Sequence, residues 1–226
     1  MASRVQDTRP LAVRVYERMA SEIVDGTLKP GTALIQEHVA AQYGVSRTPV
    51  RDALTQVTLE GLASLVPGSG YVVNELTSQD VSNVFEVRYA LEELAVRQAI
   101  GHHTPKQLVR LRALIDEFET IDPDDAEEQF QLGKDFHLAL VGPCPNRYLR
   151  ETLENIWAHP IQRRITRAYE IGPRHQAEIA TAHRQILAAL QSGDIDLIIR
   201  VLGYCHDSGD VTAYAQVVDS TNAATQ

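Results

Sequence analysis

Two arginines, Arg47 and Arg51, stand four residues apart at the start of a segment with helical periodicity. Residues four apart share one face of a helix, so both guanidinium groups lie on the same side. A guanidinium donates paired hydrogen bonds to a phosphate or to the edge of a guanine base. Ser46, a favourable N-cap, and Thr48 add hydroxyls that suit phosphate contacts. The segment is a candidate nucleic-acid contact, although a capped, solvated surface helix would have the same residues.

The elements that must position this segment begin with three helices, predicted over residues 11–25, 35–43 and 47–60. In the third helix, Val50 and Leu54 fall on the face opposite to the two arginines. Gly44 suits the left-handed turn that ends the second helix. Two helices joined by a tight turn are typical of a helix-turn-helix, whose second helix enters the major groove of DNA.

A small hairpin is predicted directly after these helices. Strand-like runs cover residues 64–66 and 71–73, around the turn-forming sequence PGSG. Gly68 and Gly70 within that turn would let the backbone approach DNA closely. Three helices followed by a hairpin predict a winged helix-turn-helix in residues 1–75.

The charge of the chain is unevenly distributed. The formal net charge is −9, which by itself argues against a polyanionic partner. Residues 1–75, however, hold seven Lys and Arg against eight Asp and Glu, whereas residues 76–226 hold fourteen against twenty-two. No run approaches the roughly 20 apolar residues of a membrane span. Because the only cysteines are Cys144 and Cys205, we expect a cytoplasmic protein in a reducing compartment, with no membrane partner.

The rest of the chain is predicted to be helical, over residues 78–100, 105–120, 123–141, 146–168 with a bend at Pro160, 173–191 and 194–217. Helices without strands over about 140 residues describe an all-α bundle. The expected fold class is therefore mainly α, with the winged helix-turn-helix in residues 1–75 and the bundle in residues 76–226.

Arg88 interrupts an apolar stripe formed by Val81, Val84, Phe85 and Leu91 in the first helix of the bundle. A buried cation needs a partner of opposite charge. Two interpretations stay open. Arg88 receives the carboxylate of a small ligand, or it forms an internal salt bridge with one of the many acidic residues.

Three histidines, His137, His183 and His206, lie on apolar helix faces of the bundle. A lone core histidine is usually a hydrogen-bonded structural residue. Three inward imidazoles from different helices would instead form a metal site, for a divalent ion such as zinc or nickel.

The run LIQEHVAAQYGVSRTPVRDALTQVTLEGLASLVPGSGYVV resembles the N-terminal domain of GntR-family bacterial transcription regulators. The helical part, with RYALEELAVRQA, FHLAL and AHRQILAALQSGD, resembles the effector domain of the FadR-like (FCD) branch. The resemblance implies a homodimer that binds a palindromic operator, more often as a repressor, and a small metabolite that alters the pose of the two DNA readers. It supports as DNA contacts Ser46, Arg47, Thr48, Arg51 and Gly68.

Two departures from the family pattern affect these expectations. Glu37 stands where several members place a DNA-holding arginine, which alters operator preference or weakens affinity. Many members also bind a divalent metal through an aspartate and three histidines. Here the aspartate position is Gly133, and the last ligand position falls on Cys205, with His206 one residue later. Either Cys205 replaces the third imidazole as a thiolate, or the site is metal-free and His137 and His183 contact the effector directly.

The expected function is a ligand-responsive, dimeric DNA-binding regulator whose carboxylate-bearing effector contacts Arg88, His137 and His183. The alternative is a metal-dependent enzyme that uses the histidines of the bundle. Against the enzyme, the chain has no phosphate-binding glycine loop, no HExxH and no nucleophile elbow.

Overall fold

A computed structural model describes residues 8–168 and 173–207 of the chain, with side chains for residues 8–165 and 176–203. The chain divides into two compact units, Met1–Glu75 and Leu76–Gln226. None of the described helices is long and apolar enough to cross a membrane.

The first unit combines three helices with a three-stranded sheet, in the order α1 (Leu11–Val24), β1 (Ala33–Leu34), α2 (Gln36–Tyr43), α3 (Arg47–Leu59), β2 (Ala63–Val66) and β3 (Gly70–Val73). The sheet is antiparallel, and β3 lies between the other two strands. The predicted winged helix-turn-helix is confirmed. Strand β1 was not predicted, because two residues are too few to show the alternation of apolar and polar residues that indicates a strand.

The packing of α1 against α3 forms the core of this unit. Apolar residues recur at helical spacing on both helices, and the buried members are Val15, Met19 and Ile23 on α1 and Val50, Ala53, Leu54 and Val57 on α3. Gly44 ends α2 with a φ of 67°, in the left-handed region that favours glycine. This packing holds α3 by its apolar face, so its polar face points away from the core.

The described residues of the second unit form seven helices: α4 (Ser78–Ala99), α5 (Pro105–Thr120), α6 (Ala126–Val141), α7 (Arg147–Ala158), α8 (Pro160–Ala168), α9 (Pro173–Ser192) and α10 (Ile195–Asp207). The all-α prediction is confirmed. The predicted extension of the last helix to residue 217 lies outside the described residues.

Where the sequence predicted one bent helix, the structure has two. His159 takes extended backbone angles, φ −63° and ψ 132°, between α7 and α8. The residue before a proline is driven away from the helical region, whereas Pro160 is well suited to open the next helix. The proline therefore breaks the helix, and α7 and α8 are two separate helices of the bundle.

Candidate nucleic-acid interface and interior site

The outer face of α3 carries exposed polar side chains at its first turns. The side chains of Arg47 and Arg51 are 65% and 63% exposed, and Thr48 is exposed between them. Val50 and Leu54 on the opposite face are fully buried. The structure brings the predicted contact residues of α3 together on one surface.

Ser46 stands at the N-cap position of α3, with extended backbone angles of φ −76° and ψ 166°. The prediction that its side chain caps the helix is wrong, because the hydroxyl makes no capping hydrogen bond. The side chain is exposed instead. Its hydroxyl therefore suits an external acceptor such as a phosphate oxygen.

The hairpin turn between β2 and β3 is exposed throughout residues 64–70. Gly68 and Gly70 have φ angles of 82° and 78°, and no atom lies within 4 Å of the position that a Cβ of Gly68 would take. A side chain at Gly68 would strain the backbone rather than collide with the protein. The turn is thus a protruding backbone loop, as a wing requires.

Both arginines of α3 lie near a carboxylate. Glu37 Oε1 is 3.0 Å from Nη2 of Arg47, and Asp52 Oδ1 is 3.6 Å from Nη2 of Arg51. All four side chains are more than half exposed. Each pair is therefore screened by solvent and is worth at most about 1 kcal/mol of stability.

The second unit contains a group of buried polar side chains contributed by five helices. We call this group the interior polar cluster, and it consists of Arg88 and Glu92 on α4, His137 on α6, Trp157 on α7, Gln162 on α8 and His183 on α9. Two of the predicted effector residues, Arg88 and His137, are thus joined through one network. The third, His183, packs beside it.

Arg88 is held on several sides within this cluster. Its Nη1 donates a hydrogen bond of 3.0 Å to Gln162 Oε1, and its Nε lies 3.7 Å from Glu92 Oε1. The guanidinium stacks between the rings of Phe85 and Trp157, at 4.4 and 4.2 Å from their centroids. The structure therefore contains the internal ion pair that one of the two interpretations of Arg88 predicted.

Glu92 links the cluster, although it was not among the site residues predicted from the sequence. Its side chain is 1% exposed. It accepts hydrogen bonds of 2.9 Å from Trp157 Nε1 and from His137 Nδ1. The available signal was its position four residues after Arg88, which places both on one helix face.

The contact with Glu92 decides the tautomer of His137. An ionised carboxylate only accepts hydrogen bonds, so Nδ1 of His137 carries the proton. In the neutral ring, Nε2 then carries the lone pair.

His183 is the second imidazole of this region. Its ring stacks on Phe136 at 3.9 Å and lies 5.4 Å from the ring centroid of His137. Burial lowers its pKa well below 6.5, and the neighbouring His137 lowers that pKa further. Its buried Nδ1 has no hydrogen-bond partner among the residues that the structure describes. An unsatisfied buried polar atom costs about 1–3 kcal/mol, so a hydrogen bond to this nitrogen would stabilise the bundle.

The described donors of this region do not by themselves complete a site for a divalent metal. Gly133 supplies no carboxylate, and within the described part of the chain no three or more His, Cys, Asp or Glu residues are grouped to hold an ion. The side chains of Cys205 and His206 lie outside the described residues. Two imidazoles are fewer than the three protein ligands that bound zinc normally has.

Comparison with known proteins gives the same division of the chain. The model of bacterial regulatory proteins of the gntR family matches residues 11–73, and the FCD domain model matches residues 83–205. Similar proteins include the regulator YdhC of Bacillus subtilis, 31% identical over 65% of this chain and 66% of its own length. The regulator McbR of Escherichia coli is 29% identical over 81% of this chain and 84% of its own.

A solved structure of E. coli McbR/YncC aligns with 96% of this chain and 97% of its own, at a TM-score of 0.63 and 26% identity. The matched families and these relatives are transcription regulators, so the alternative of a metal-dependent enzyme has no support. Both units of the chain, Met1–Glu75 and Leu76–Gln226, therefore match domains of the same group of transcription regulators. The chain therefore belongs to the gntR family of bacterial regulatory proteins, in the branch with an FCD domain, and it is a DNA-binding transcription regulator.

Proposed function

We propose that this regulator is a cytoplasmic homodimer that represses transcription at a palindromic operator. Residues 1–75 form the DNA reader, and residues 76–226 form the effector-binding and dimerisation domain. The observation that carries this proposal is the exposed face at the start of α3, where Arg47 and Arg51 lie on one side of a helix whose other side is buried. A two-fold dimer places two such helices on symmetric half-sites.

In this arrangement the two arginines read guanine edges, while Ser46, Thr48 and the backbone at Gly68 bind phosphates. Guanine offers two acceptors in the major groove, which match the two donors of a guanidinium. Phosphate contacts set the register of the helix without reading sequence.

Replacement of Arg51 by alanine tests this assignment. We expect the affinity for the preferred duplex to fall by about 1–3 kcal/mol and the base preference at one position to relax. Fluorescence anisotropy at several salt concentrations, against the preferred and single-base variant duplexes, measures both effects. Thr55→Ala is the control, because Thr55 lies one turn further along α3 and its hydroxyl bonds to the backbone carbonyl of Arg51. Equal affinities of Arg51→Ala and Thr55→Ala would exclude Arg51 as a base contact.

For the effector, we propose a small carboxylate that binds at the interior polar cluster without a metal. Arg88 supplies the positive charge, and Glu92 compensates that charge when no ligand is bound. Nε2 of His137 and Nδ1 of His183 supply polar contacts. Gly133 lies one turn before His137 on α6, and nothing occupies the space where its Cβ would be. Nδ1 of His183, a buried polar atom with no partner among the described residues, offers a contact to a small polar ligand.

A thermal-shift screen of small carboxylates, sugar acids and amino acids tests the effector site. A ligand present at 100 times its dissociation constant stabilises the folded protein by about 2.7 kcal/mol. We expect a ligand that stabilises the wild type to lose most of this stabilisation in His183→Phe. That variant keeps an aromatic ring against Phe136 but lacks the ring nitrogens. His102→Gln is the control, since His102 is exposed. A ligand that stabilises His183→Phe as strongly as the control binds elsewhere.

A further inference from the structure

The ion pair between Glu37 and Arg47 lies on the surface that the proposed function assigns to DNA. Glu37 is in the first turn of α2, and Arg47 is the first residue of α3. Their charged atoms are 3.0 Å apart, and the side chains are 55% and 65% exposed. The carboxylate thus stands at the DNA-facing end of α3, although it has the same sign as the DNA backbone.

Helix dipoles explain why these two side chains stay together. The start of a helix carries a partial positive charge, which disfavours a cation at the position of Arg47 and favours an anion at that of Glu37. Glu37 therefore offsets the unfavourable position of Arg47. Because the two residues belong to different helices of one packed core, their separation is set by the fold and not only by side-chain rotamers.

This carboxylate does not affect the two kinds of DNA contact equally. A phosphate that approached Arg47 would also approach Glu37 and be repelled by it. A guanine edge is uncharged, and the guanidinium has five N–H donors, so Arg47 can bind the base while one donor remains on Glu37. The pair thus penalises a phosphate contact of Arg47 more than a base contact.

We propose that Glu37 is a specificity-determining positioning residue. It directs Arg47 towards a base edge and weakens the binding of DNA that lacks the matching base. This inference rests on the proposed function of α3 as the DNA-reading helix. General electrostatic attraction to phosphates binds any DNA sequence and so lowers selectivity. In this proposal the single acidic residue Glu37 opposes that loss of selectivity.

The test compares Glu37→Gln with Glu75→Gln. Both substitutions remove one negative charge from the first unit, and Glu75 is an exposed residue after β3. A preferred duplex is first selected from random sequence with the wild type. Its affinity and that of a scrambled duplex are then measured for wild type, both variants, Arg47→Ala and the double variant of residues 37 and 47.

We expect Glu37→Gln to raise the affinity for scrambled DNA more than Glu75→Gln does. The ratio of specific to scrambled affinity should fall about threefold to fivefold, the range that an exposed ion pair can supply. In the Arg47→Ala background, Glu37→Gln should leave this ratio unchanged.

Two other outcomes are distinguishable. If the wild type selects a sequence but Glu37→Gln keeps the same affinity ratio as Glu75→Gln, Glu37 contributes only net charge and the inference is wrong. If the wild type selects no sequence, the proposed function fails and the inference fails with it.

Discussion

Replacing Glu92 with alanine should destabilise the second unit by about 3–5 kcal/mol, because removing one partner leaves the other charge buried without compensation. Glu92 accepts hydrogen bonds from Trp157 and His137 and lies beside the guanidinium of Arg88. Its loss would therefore leave two donors and a cation in an interior from which water is excluded. Urea unfolding followed by the fluorescence of Trp157, the single tryptophan, measures the change in the free energy of unfolding.

The neighbouring residue offers a matched control. Glu93 pairs with Arg97 at 2.7 Å, four residues along the same helix, and both side chains are partly or largely exposed. Glu93→Ala should cost only about 0.3–0.5 kcal/mol, as exposed helix pairs do. Equal costs for the two variants would contradict the role of Glu92 as the centre of the interior polar cluster.

Replacing Leu54 with alanine should destabilise the first unit by about 2–5 kcal/mol, the usual range for a buried leucine. Leu54 has no exposed surface and packs in the core where α1 meets α3. A cavity at this place would loosen the docking of α3, so the affinity for operator DNA should fall although no contact residue is changed. Hydrogen exchange read by mass spectrometry on peptides from α1 and α3 measures the loss of local stability.

Leu59 is the control on the same helix, because its side chain is 76% exposed. Leu59→Ala should change stability by no more than about 0.5 kcal/mol. Faster exchange in α1 for the Leu54 variant alone would show that the docking of α3 depends on the buried face. Similar exchange rates in both variants would contradict it.

The reader domain was predictable from sequence because its signals are local. Helical periodicity places Val50 and Leu54 on one side of α3 and the arginines on the other, and the glycines mark the turns. Strand β1 was not predicted and the capping by Ser46 was predicted wrongly, because both depend on contacts that a sequence pattern does not show. Strand β1 exists only through its pairing with β3, and the hydroxyl of Ser46 leaves the helix uncapped although its residue type favours capping.

The interior site was predictable only in part. Arg88, His137 and His183 are anomalies in apolar stripes, so the sequence showed that the bundle contains buried polar groups. Nothing local to Trp157 or Gln162 indicated that they would meet Arg88, because both lie more than 60 residues further along the chain. The break at Pro160, predicted as a bend, is what turns Gln162 on a separate helix towards this group.

The amino-acid sequence by itself determined the two-part architecture, the family and the outward face of the reading helix, since each follows from periodicity, turn residues and short motifs. The tertiary structure alone decided the partners of the charged groups. A salt bridge or hydrogen bond needs atoms within about 3–4 Å, and only the packing of helices brings Glu37 to Arg47 and Glu92 to His137. Charge type is therefore readable from sequence, whereas charge compensation is a property of the fold.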